Sequence, residues 1–172
     1  MLTRRKFMIA SSVIGGAFAV QVYSTETSLV VLKKRLDMVL GTIVSVQLHM
    51  FPPASLGFSF SIQALENFLR HTLFVAQYDP DIRLFVIEGA AQLMAMEKER
   101  FVVMDWHKKE QLLRQYEKTN YGSAWLSRIL TLTMEALFSD PIYGVNRDEK
   151  MWQVLESYGG YPRPKSEYMK NV

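Results

Sequence analysis

Apolar residues recur every three or four positions through most of this chain, the spacing that gives a helix one buried face. The first such segment runs from Thr25 to Phe51, with Leu29, Leu32, Leu36, Val39, Ile43 and Val46 in one row. Val44 to Met50 also alternates apolar and polar, so a short strand competes there. Phe51-Pro52-Pro53 closes the segment, because proline disfavours helical geometry in the residue before it, and Ala54 to Ser61 reads as a loop.

Further helices follow. One spans Ser61 to Ala76 with Leu65, Phe68, Leu69 and Leu73 inward, and Tyr78-Asp79-Pro80-Asp81 breaks it while offering a cap to the next. The next spans Asp81 to Arg100, with Leu84, Ile87, Ala91 and Met94 on one face. Asp105 to Glu117 reads as a shorter charged helix on the surface. Tyr121 to Phe138 is the most apolar, with Trp125, Ile129, Leu132 and Ala136 in one row and Leu126, Leu130 and Leu137 beside it, so it is predicted to be the central helix. Asp140-Pro141-Ile142-Tyr143-Gly144-Val145-Asn146 makes a rigid turn. Asn146 stands three residues before Glu149, close to a capping box, ahead of a short helix with Met151, Trp152 and Leu155. Gly159-Gly160-Tyr161-Pro162-Arg163-Pro164 forms an extended aromatic and proline-rich tail. The fold class expected is all-α: a bundle of five to six helices with an irregular C-terminal tail.

The first nineteen residues have another character. Arg4, Arg5 and Lys6 precede an uncharged stretch from Met8 to Val22, with small residues at Ala17-Phe18-Ala19. A basic segment, an apolar segment and a small-residue motif are the parts of an export signal. The apolar run falls short of the roughly 20 residues that span a bilayer. Arg4-Arg5, with Phe7 as the large apolar residue after the pair, resembles a twin-arginine signal, and Ser11, Ser12, Gly15 and Gly16 dilute the apolar run as that route tolerates. The expected layout is therefore a signal over 1–19, either cleaved after Ala19, the favoured outcome, or retained, and one helical domain over 20–172. That route carries folded proteins, commonly with a cofactor or partner already in place.

Charge and chemistry narrow the function classes. The 172 residues carry a net charge of +3, but three basic and no acidic residues lie in the leader, leaving 17 of each sign. The body is thus neutral, and nucleic acid is not an expected partner. There is no cysteine, which excludes disulfides, thiolate metal sites and thioether-bound haem in this chain. His49, His71 and His107 lie far apart, so no metal site is expected. Glu66 and Arg70 are spaced for a surface ion pair. No glycine-rich phosphate loop, nucleophile elbow or zinc motif occurs, and no catalytic or cofactor-binding residue is assigned.

Glu135-Ala136-Leu137-Phe138-Ser139-Asp140-Pro141-Ile142-Tyr143-Gly144-Val145-Asn146-Arg147-Asp148, followed by Trp152 and Gly160-Tyr161-Pro162, resembles the closing region of the gluconate 2-dehydrogenase subunit 3 family. The leader and the helix end at Leu48 to Pro52 match that family's layout. Val145 stands where a second glycine is common in the family, and Glu149-Lys150 where it has a glycine-containing loop. The resemblance implies a non-catalytic subunit of a periplasmic, membrane-associated, flavin-dependent sugar or sugar-acid dehydrogenase. It implies FAD in a large partner subunit, haem c in a multihaem cytochrome c subunit, and export by the twin-arginine translocase. The residues expected to face a partner are Tyr143, Asn146, Arg147, Trp152, Tyr158 and Tyr161, a density of aromatic and arginine side chains typical of interface anchors. Tyr143 and Trp152 serve a core equally well, Asn146 is first a cap, and Arg147, Tyr158 and Tyr161 are the stronger candidates.

Overall fold

The computed structural model describes residues 29–53 and 61–166. The leader, with Arg4, Arg5, Phe7 and the cleavage motif, lies outside the described residues, as do most of the loop expected at Ala54 to Ser61 and the last six residues. Among the described residues there are six α-helices and no strand. They are α1 (Leu29–Met50), α2 (Ile62–Phe74), α3 (Pro80–Ala95), α4 (Trp106–Glu117), α5 (Asn120–Leu137) and α6 (Lys150–Val154). Short 3-10 turns stand at Phe101–Val103, Pro141–Tyr143 and Arg147–Glu149.

Helix starts follow the capping residues in the sequence. Ser61 accepts from the Ala64 amide, Asp79 from Asp81 and Ile82, Asp105 from Lys108 and Thr119 from Gly122. Each satisfies an amide that has no intrahelical partner. Val44 to Met50 is helical, because the three-to-four period extends over far more residues than the alternation.

α5 contacts each of α1 to α4, and α1 likewise contacts each of α2 to α5. The central place expected for α5 is therefore shared. From Thr42 to Gln47 every residue of α1 is buried, so this stretch of the helix is enclosed on all sides, whereas its first half keeps an exposed face. In α5, Trp125, Ile129, Leu132, Ala136 and Leu137 are fully buried, whereas Leu130 is exposed.

Four expectations are corrected. α3 ends at Ala95, not Arg100, since Glu97-Lys98-Glu99-Arg100 offers no apolar residue to continue a buried face. Its inner face is Arg83, Val86, Ile87, Gly89, Ala90 and Leu93, with Leu84 and Met94 outside. The small residues at 89 and 90 let α5 come close, and that close contact outweighs the bulkier row. Arg83 is tolerated inside because it donates to the Leu73 carbonyl at the end of α2 and lies over the Phe74 ring. α4 is more than a surface helix, because Leu112, Leu113 and Tyr116 enter the core. Arg70 pairs with Asp37 of α1 rather than serving a pair along its own helix.

Candidate functional site

The C-terminal turn is built around the C-terminal end of α5, where Ala136 and Leu137 are buried. Asp140 caps the Pro141–Tyr143 turn through the Ile142 amide at 3.1 Å, and Gly144 follows at φ +82°, which favours glycine. The chain then dips inward. Val145 and Asn146 are buried, and the Asn146 side chain donates to the Ser139 carbonyl at 3.1 Å while accepting from the Met151 amide at 2.9 Å. Asn146 is thus a cap of α6, but not through the reciprocal box its spacing with Glu149 suggested. It ties the end of α5 to the start of α6, using polar groups that helix ends leave unpaired.

Trp152 adds a second tie, its indole N–H donating to the Phe138 carbonyl at 3.0 Å. The tail folds back over the outer face of that indole. A Cβ on Gly159 would stand 2.4 Å from the Trp152 ring, so only glycine passes here. The Arg163 guanidinium sits 4.6 Å from the Trp152 ring centre and 5.1 Å from that of Tyr161. It also donates to Glu149 at 2.7 Å and lies 4.0 Å from an Asp140 oxygen.

The six residues expected at a partner surface therefore separate. Asn146 and Trp152 are internal fasteners, and Tyr143 is half-buried with its ring edge-on to Phe68 at 6.2 Å. Arg147 is exposed, and Tyr158 and Tyr161 keep 72% and 81% of their surface open beside exposed Val154 and Leu155. Arg163, which organises the tail, is the residue that sequence reasoning missed. Its signal was an arginine between two prolines, with carboxylates waiting at 140 and 149.

A second site gathers residues distant in sequence. His49 Nε2 lies 2.8 Å from Glu110 Oε2, and Arg114 donates to the same carboxylate at 2.8 Å and to Glu117 at 3.1 Å. Hydrogen bonding to His49, and then to Arg114, holds the Glu110 carboxyl below its ordinary value. These groups rim a cleft of about 340 Å³ whose walls include Met50, Leu113 and Leu126. Sixty-one residues separate His49 from Glu110, so no local motif announces the pair. Among the described residues no three His, Asp or Glu side chains converge as a metal site, and no helix is long and apolar enough to cross a membrane.

No family model, curated protein or solved structure matches this chain.

Proposed function

We propose that the chain is a non-catalytic accessory subunit of a periplasmic flavin-dependent sugar or sugar-acid dehydrogenase, exported folded with its catalytic partner by the twin-arginine route. On this reading FAD belongs to the large partner subunit and haem c to a cytochrome subunit. The reading is supported by the leader and by the likeness of residues 135–161 to the closing region of the gluconate 2-dehydrogenase subunit 3 family. The observation that carries it is the form of the tail. Arg163 closes the segment onto Trp152, and yet Tyr158, Tyr161, Val154 and Leu155 all point out of the fold. Holding several large apolar side chains in water on a clamped segment fits an anchor awaiting a partner.

Purification of the tagged chain from its own cells tests the reading. A yellow, flavin-containing large subunit should accompany it. A colourless chain recovered alone would favour the second reading, a free-standing exported helical domain that binds a small ligand or another protein. The cleft beside His49 and Glu110 is the feature that supports that alternative.

A further inference from the structure

We draw no further inference here: the strongest candidate, the exposed apolar strip that Met38 of α1 forms with Val102, Val103 and Trp106 at the turn into α4, stands among four acidic and four basic residues over 97–110, and nothing in the structure shows what covers it.

Discussion

Gly89 lies directly beneath the indole of Trp125: a Cβ at this position would stand 2.0 Å from Cδ1 of the ring. The indole N–H donates to the Val86 carbonyl at 2.9 Å, and the Tyr116 hydroxyl donates to the carbonyl of Gly89 itself at 3.0 Å. One glycine thus lets α3, α4 and α5 share a contact. Alanine in a helix interior is ordinarily better than glycine by about 1 kcal/mol. Here we expect Gly89→Ala to destabilise by about 3 kcal/mol, at the top of the overpacking range, and Trp125→Ala by about 3–5 kcal/mol. The double variant should lose clearly less than the sum, because without the ring the methyl group has nothing to strike. Urea denaturation of the four chains measures this. Additive losses would show that the two residues do not share the contact.

Alkali should unfold the domain through the same cluster. Burial raises the hydroxyls of Tyr116, Tyr78 and Tyr121 above their ordinary value. A group whose folded value is raised contributes fully below its unfolded value, near 10, and loses that contribution as pH climbs through and beyond it. Stability should therefore be level up to about pH 9.5 and decline above it. Tyr116→Phe should cost about 1 kcal/mol at neutral pH for the lost hydrogen bond while flattening the alkaline decline. An unchanged alkaline limb in Tyr116→Phe would assign that limb to other groups.

Glycine should help where the chain now uses glutamate. α6 closes with the Ser157 amide on the Trp152 carbonyl at 2.8 Å and the Glu156 amide on the Gln153 carbonyl at 3.0 Å. That pairing is a Schellman motif with Glu156 at the left-handed position, φ +52°. A non-glycine residue there costs about 1–2 kcal/mol, partly offset by the extra freedom glycine has when unfolded. We expect Glu156→Gly to raise stability by about 0.5–1 kcal/mol in thermal unfolding. A lower melting temperature would mean that the glutamate side chain supports the tail.

Helix identity was legible in the sequence wherever a cap and a periodic face coincided, as at Ser61 with Leu65, Phe68, Leu69 and Leu73. Faces were less legible where two rows competed. In α3 the bulkier row of Leu84 and Met94 lost to a row containing Gly89 and Ala90, because smallness was what the partner indole required. The C-terminal site divided the same way. Its density of aromatic residues was visible, but whether a ring faces in or out depends on a remote carbonyl, as with Trp152 and Phe138. The clip by Arg163 depends on carboxylates 14 and 23 positions away, and His49 with Glu110 on two separate helices. No local pattern encodes such meetings.

The leader carries its own expectation. Changing Arg4 and Arg5 together to lysine should leave the chain in the cytoplasm, since the arginine pair is the feature a twin-arginine receptor would read. Fractionation of cells expressing the double variant measures this. Normal periplasmic recovery would assign the segment to the general route and remove the argument for export in a folded, partnered state.

The tail separates structure from recognition, and single residues can tell the two apart. Tyr158 and Tyr161 are mostly in water, so Tyr158→Ala with Tyr161→Ala should change stability by no more than about 0.5 kcal/mol while, on the proposed function, releasing the proposed flavoprotein partner in copurification. Arg163→Ala should behave differently. It uncovers the Trp152 indole and frees Glu149, which together are worth about 1–2 kcal/mol for a cation over a ring and a partly exposed ion pair. The tail would then lift from α6, and partner binding would weaken through lost positioning. Removing residues 158–172 takes away Gly159 and Arg163 as well, so α6 should loosen. α1 to α5, whose core is continuous without the tail, should stay helical by circular dichroism. Collapse of that helicity would make the tail part of the core. If the flavoprotein still copurifies with the double tyrosine variant, the contact lies elsewhere on the bundle, and the assignment of this surface fails.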